Sequence, residues 1–271
     1  MFKYRLKVLN GRKEVMEALK EIWGNCKEWL TDKEINDFFK ENSNIFKCIN
    51  ECESPAKSDI FNAFKGLTPQ KVRVLIIGQD PYPEYGRADG MAFSFGNKEP
   101  ASDSLKNIFS RIEELGINNL NTSLEKWRSQ GVLLLNASLT LKKGKNDSIQ
   151  KKLRKEHLDS WIPFINYIIK QLINKKNNEP LVVMLFGEKA NLIDEFKDDK
   201  DDNYKLENKN IYIIRTSHPS NLGCAKNYCG NYSNKLKYGV KAFMCVCNNP
   251  FKKCNDFLKQ KDLVEINWST D

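Results

Sequence analysis

Three stretches of this chain hold the side chains best equipped for chemistry. Gly78-Gln79-Asp80-Pro81-Tyr82-Pro83 offers a carboxylate and a phenol, Asn136 an amide, and Ser217-His218-Pro219-Ser220 an imidazole. A carboxylate can orient water and stabilise positive charge, and a neutral imidazole can donate a hydrogen bond to growing negative charge. An amide presents a donor beside an acceptor. None of these is specific alone. Asp-Pro is commonly a turn, and a lone His is commonly a satisfied structural residue.

The elements that must carry them give the set its meaning. Four β-branched, apolar runs read as strands: Val72 to Ile77, Val132 to Leu135, Leu181 to Phe186, and Ile211 to Arg215. Between them lie helical patterns. Leu105, Ile108, Ile112 and Leu115 share one face, and Trp161, Ile165, Ile168, Ile169 and Leu172 form another stripe. Thr122-Ser123-Leu124-Glu125 has the form of a capping box. Strands alternating with helices predict an α/β three-layer sandwich, a central four-stranded parallel sheet flanked by helices. Such sheets place ligands beyond the carboxyl ends of their strands. Asp80 and Tyr82, Asn136, Gly187-Glu188 and His218 all lie just past strand ends, so they reach one rim.

The first seventy residues read as helices. Val15, Leu19, Ile22, Cys26 and Leu30 give an apolar face, and Thr31-Asp32-Lys33-Glu34 opens the next helix. A further helix is expected near Glu188 to Phe196, followed by a charged surface loop over residues 197–209. With no linker rich in Gly, Ser or Pro, residues 1–271 are expected to form one domain, a helical region at 1–70 leading into a core at 71–271.

Composition sets bounds. The chain has 271 residues, 40% hydrophobic and 29% charged, and no apolar run approaches the roughly 20 residues of a membrane span. The formal net charge of +9 suits a polyanionic partner, nucleic acid above all, and equally suits plain solubility. Eight cysteines, none in a C-x-x-C pair, and two histidines supply a zinc cage poorly. Free thiols are expected throughout, and no metal or organic cofactor. The N-terminal stretch lacks the apolar core of a secretory signal and is basic, with no acid before Glu14. An intracellular location is expected, nuclear in a eukaryote or cytoplasmic in a bacterium, with an organelle address left open.

Gly78-Gln79-Asp80-Pro81-Tyr82, continuing through Gly86 and Gly90-Met91-Ala92-Phe93-Ser94-Phe95, resembles the water-activating motif of family 1 uracil-DNA glycosylases. Gln130 to Asn136 resembles that family's uracil-reading strand, and His218-Pro219-Ser220-Asn221-Leu222 its DNA-intercalation loop. Ser102 to Leu105 falls where the family has a Pro-rich, phosphate-contacting loop, and Ile266-Asn267-Trp268 is similar to its C-terminal tail. The likeness runs from about residue 70 to the end in the family's order. It departs at Pro83, where the family commonly has His, at the less Pro-rich Pro100 to Ser104, and at Gly223-Cys224-Ala225-Lys226 after the loop. The cysteine spacing does not resemble the iron–sulfur branch.

The resemblance implies an enzyme that flips uracil out of single- or double-stranded DNA and hydrolyses its glycosidic bond. Asp80 and His218 are then the catalytic groups. Gln79, Tyr82, Phe93 and Asn136 bind the uracil. Ser104, Ser220, Leu222 and Pro81 contact DNA, with Leu222 as an apolar wedge and Lys226 as an added phosphate attraction. Ser104 also precedes the Leu105 stripe and can cap it. A monomer is expected. The alternative is a DNA-binding or replication-accessory protein on the same fold with catalysis demoted. Such a module has no reason to keep Asp80, Asn136 and His218 together. Neither G-x-x-x-x-G-K-[ST] nor G-x-S-x-G occurs, which argues against a phosphate-loop or nucleophile-elbow enzyme.

Overall fold

The computed structural model describes Trp23, Cys26 and residues 28–96, 100–118, 120–187, 203–206, 210–221 and 249–271. Its sheet has five strands, β1 (Val74–Gly78), β2 (Val132–Asn136), β3 (Leu181–Phe186), β4 (Asn203–Leu206) and β5 (Ile211–Thr216), in the order β2-β1-β3-β5-β4. β2, β1, β3 and β5 are parallel. They are the four strands the sequence predicts. Every residue of β1, β2 and β3 is buried, as unbroken apolar strands covered on both faces must be. β4 corrects the expectation of a loop across 197–209. Its four residues pair antiparallel with β5, Asn203 with Ile214 through Leu206 with Ile211. The free edge of β5 supplies the ladder, so the pairing does not need an apolar strand.

Six described helices accompany the sheet: α1 (Asp32–Glu41), α2 (Asn44–Asn50), α3 (Asp103–Glu113), α4 (Glu125–Ser129), α5 (Asp147–Lys176) and α6 (Pro250–Gln260). Thr31 and Glu34 close a reciprocal capping box on α1, worth about 1 kcal/mol. The box expected at Thr122 does not form. α4 starts after Leu124 with no side-chain cap, and the Thr122 hydroxyl donates to Gly96 O at 3.2 Å instead. The α5 stripe is fully buried at Trp161, Ile165, Ile168, Ile169 and Leu172. Burying each such side chain stabilises by about 1.5–3 kcal/mol.

One continuous apolar cluster runs from Trp23 to Trp268. Phe38, Phe39 and Phe61 from before the sheet pack on Phe164 of α5, and Trp29 Nε1 donates to Leu67 O at 2.7 Å. At the other end Trp127 Nε1 donates to Trp268 O at 2.9 Å, so the tail is tied to α4. Cys26, Cys48, Cys52 and Cys254 are free thiols. Val15, Leu19 and Ile22, the helix expected at Glu188 to Phe196, and Cys224, Cys229, Cys245 and Cys247 lie outside the described residues.

Candidate active site

The parallel strands bring their carboxyl ends to one rim, and the site is assembled from the residues at and just beyond those ends. Gly78 ends β1 in register with Asn136, which ends β2. A Cβ on Gly78 would lie 2.6 Å from Asn136 Oδ1 and 3.2 Å from Phe93 Cε2. Glycine is needed there for close approach, so the amide and the ring meet over bare backbone. Gly187, directly after β3, serves His218 in the same way. It has φ +91, and a Cβ would lie 3.0 Å from His218 Cβ. Beyond the strands, Ser138 N–H donates to Gln79 O at 3.0 Å and fixes the start of the Asp80 segment.

The sequence pattern puts Phe93 in an extended segment with Met91 and Phe95 on the same side. It instead holds φ 65, in the left-handed region, which costs a non-glycine residue about 1–2 kcal/mol. Several bonds impose it. Ala92 N–H donates to Leu134 O at 3.0 Å, and Tyr82 Oη–H donates to Phe93 O at 2.9 Å. The Asp89 carboxylate accepts from Met91 N–H at 3.0 Å and from Ser94 Oγ at 2.6 Å. The Phe93 ring then lies 5.8 Å from Phe186 and 6.0 Å from His218, centroid to centroid.

Tyr82 is half-buried, edge-on to Phe95 at 5.2 Å, and its hydroxyl also meets Ser102 Oγ at 2.8 Å. Burial pushes its phenol up to about 12, so it stays protonated. Ser102, not Ser104, caps α3, accepting from Leu105 N–H at 3.1 Å. Ser104 sits in the first turn of that helix. This turn is stitched to the His218 segment. Asn107 Nδ2 donates to Pro219 O at 2.7 Å and to Asn221 Oδ1 at 3.1 Å, and Asn221 Nδ2 donates to Asp103 Oδ2 at 2.8 Å. Ser104 and Ser220 therefore lie on two walls held as one.

His218 Nδ1 accepts from Ser220 N–H at 3.0 Å. Its pKa is held down to about 4, first by burial and then by the charge of Arg154. The ring is neutral near pH 7 and carries its proton on Nε2. Asp80 is pushed above the usual carboxylate range by burial, opposed by Arg154 and by a hydrogen bond from the Gln79 side chain. Arg154 Nε stands 3.2 Å from Asp80 Oδ2. The two atoms are shielded from solvent, yet neither makes a hydrogen bond among the described residues. The contact is an ion pair without donor alignment.

The structure thus draws Asp80, Gln79, Tyr82, Phe93, Asn136 and His218 to one rim. Pro81 is buried, and Leu222 and Lys226 lie outside the described residues. Sequence reasoning misses Asn107 and Arg154, and it places Ser102, Asp103 and Asn221 in motifs without seeing the cap and the stitching they provide. Ser102, three residues before Leu105, carries the capping signal that the sequence reading assigns to Ser104. The others are polar residues whose partners are remote in sequence.

A parallel α/β sheet with an aromatic ring, an amide, a carboxylate and a neutral imidazole on its carboxyl rim is built to hold a flat polar ring and stabilise charge around it. Residues 65–238 match the family model for the uracil DNA glycosylase superfamily, and the chain belongs to that superfamily. It is 31% identical over 254 residues to the uracil-DNA glycosylase of Azobacteroides pseudotrichonymphae, covering 92% of this chain and 99% of the relative. It is 34% identical to that of Coxiella burnetii (strain RSA 493 / Nine Mile phase I), covering 92% and 93%. The crystal structure of mimivirus uracil-DNA glycosylase shares the fold, with a TM-score of 0.66 at 24% identity, covering 93% of this chain and 92% of that one.

Proposed function

We propose that this protein is a monofunctional uracil-DNA glycosylase, releasing free uracil and leaving an abasic site, the first step of base excision repair. The observation that carries the reading is one rim holding a largely buried carboxylate, Asp80, and an imidazole, His218, that is neutral and presents Nε2–H.

Breaking the bond between sugar carbon and base nitrogen sends the electron pair to the base. The sugar becomes electron-poor and the uracil electron-rich. Asp80 stabilises the sugar and orients the water that attacks it. His218 Nε2–H donates to uracil O2 as negative charge grows there. Fixed groups of this kind are commonly the largest catalytic factor, because they need no reorganisation during the reaction.

The base must first leave the duplex stack. Phe93 offers it a stacking face. Asn136 pairs with uracil N3–H and O4, a pattern that cytosine reverses. Tyr82 fills the space beside C5, where thymine carries a methyl. Gln79 orients Asp80 at the edge of the same site. Ser104 and Ser220, on walls stitched by Asn107, grip the DNA backbone, and Leu222 fills the gap in the stack.

The test is incubation with a uracil-containing oligonucleotide in EDTA, followed by alkaline cleavage of abasic sites. Scission well above a mock control is expected. Scission at the level of the control rejects the proposal.

A further inference from the structure

The cation beside the site comes from an element that none of the motifs includes. Arg154 lies on α5, and its side chain is 37% exposed while that of Asp80 is 12% exposed. The two charged residues that follow it on the helix are otherwise engaged. Lys155 pairs with Asp159, and Glu156 pairs with Lys47. Arg154 turns to the rim, with Nε 3.2 Å from Asp80 Oδ2. We infer that Arg154 is a positioning residue for the glycosylase reaction, its guanidinium holding the Asp80 carboxylate in place and in its charged form. The inference rests on the function proposed above.

The physical case is one of opposing fields. Burial favours a neutral Asp80, and a neutral acid does little for an electron-poor sugar. Arg154 is the stronger of the two influences that oppose this, ahead of the Gln79 side chain. The same positive charge repels a proton from His218, adding to the effect of burial there. One cation therefore favours carboxylate at Asp80 and neutral imidazole at His218, the two states the cleavage needs. Among the described residues it is the charged group that acts on either of them. A guanidinium suits the place because it is weakly hydrated and stays charged when half-buried.

The experiment compares Arg154→Gln and Arg154→Lys with the wild type on a uracil-containing oligonucleotide, in single-turnover rate and KM across pH. For Arg154→Gln, the rate loss at about pH 5 is expected to exceed that at about pH 8 by roughly tenfold, as losing an opposite charge beside an acid demands. Arg154→Lys should restore most of the profile. In an Asp80→Asn background at about pH 8, where His218 is neutral with or without the cation, Arg154→Gln should cost less than about twofold, since the carboxylate it holds is gone. A pH-independent loss, or one that persists with Asp80→Asn at about pH 8, overturns the inference. So does a loss confined to KM with a flatter salt dependence, which would make Arg154 a DNA-phosphate contact.

A second readout needs no activity. By NMR, the His218 titration midpoint should rise in Arg154→Gln. His157, whose charged neighbours are Glu156, Glu51 and Lys142, should not move. An unmoved His218 overturns the inference. A wild type that titrates as expected but releases no uracil rejects the proposed function instead.

Discussion

The backbone N–H of Ser220 donates to Nδ1 of His218 at 3.0 Å, and that bond decides which ring nitrogen carries the proton. The neutral ring can then be protonated at Nε2 alone. With two histidines in the chain, ¹⁵N NMR can read this directly. His218 should show the Nε2–H tautomer near pH 7 and begin to take up a second proton only toward about 4. An Nδ1–H tautomer, or a midpoint near the ordinary 6.5, contradicts the assignment.

The same depressed pKa has a cost in stability, and its sign is fixed. The unfolded chain binds a proton at His218 below its ordinary value of 6.5, and the folded chain refuses it until about 4. Stability is therefore lost as pH falls through that window. His157, also lowered, first by burial, adds to the loss. Asp80, raised, works in the opposite direction. Denaturation midpoints should fall less steeply between 6.5 and 4 in His218→Leu than in the wild type. Parallel curves contradict the prediction.

Asp80→Asn and His218→Leu should each slow uracil release by about 10²–10³-fold, the usual size of one electrostatic group, with DNA binding largely kept. Single-turnover rates and binding isotherms check both halves. Near wild-type rates in either variant remove that residue from the mechanism.

Gly78→Ala places a methyl 2.6 Å from Asn136 Oδ1 and 3.2 Å from Phe93 Cε2. The backbone tolerates alanine, so the damage falls on the base site. A shift of about 1 Å there is expected to cost roughly 10²-fold in rate. Overpacking should cost stability about 1–3 kcal/mol. Uracil release and a urea titration measure the two effects. Unchanged kinetics would mean that Asn136 and Phe93 need not meet over Gly78.

Base choice should separate into two filters. Tyr82→Ala should release some thymine and still reject cytosine. Asn136→Asp should admit some cytosine, because a carboxylate accepts from its N4 amino group, and still reject thymine. Each unpaired polar group in a buried site costs about 1–3 kcal/mol. Both variants should lose much of their uracil activity. Release of all three bases from matched oligonucleotides is the measurement. The reversed pattern of gains would misplace both residues.

Much of the scaffold is legible in the sequence because it is driven by burial. β1, β2, β3 and β5 are written as apolar runs, and the α5 stripe has helical spacing. Thr31 and Glu34 sit where a capping box needs them. The illegible features depend on partners far along the chain. β4 forms on the free edge of β5, and its four residues lie within a charged stretch, 197–209, that masks any strand signal. Thr122 has the right spacing for a box, but its hydroxyl is drawn to Gly96 O. The main motif residues can be named from their order. The left-handed Phe93, the Asn107 stitching and the Arg154 ion pair are products of packing, which no local spacing encodes.

Phe93 has one more consequence, and it concerns heat. Its backbone is held by bonds on either side, and its ring packs tilted against Phe186 and His218. A base that stacks on it finds a surface whose rotamer freedom has already been surrendered during folding. The entropy of ordering that ring is charged to the stability of the free protein, and binding is spared it. Contact with the ring should then register as favourable enthalpy and a negative heat-capacity change, the marks of an apolar face formed in advance.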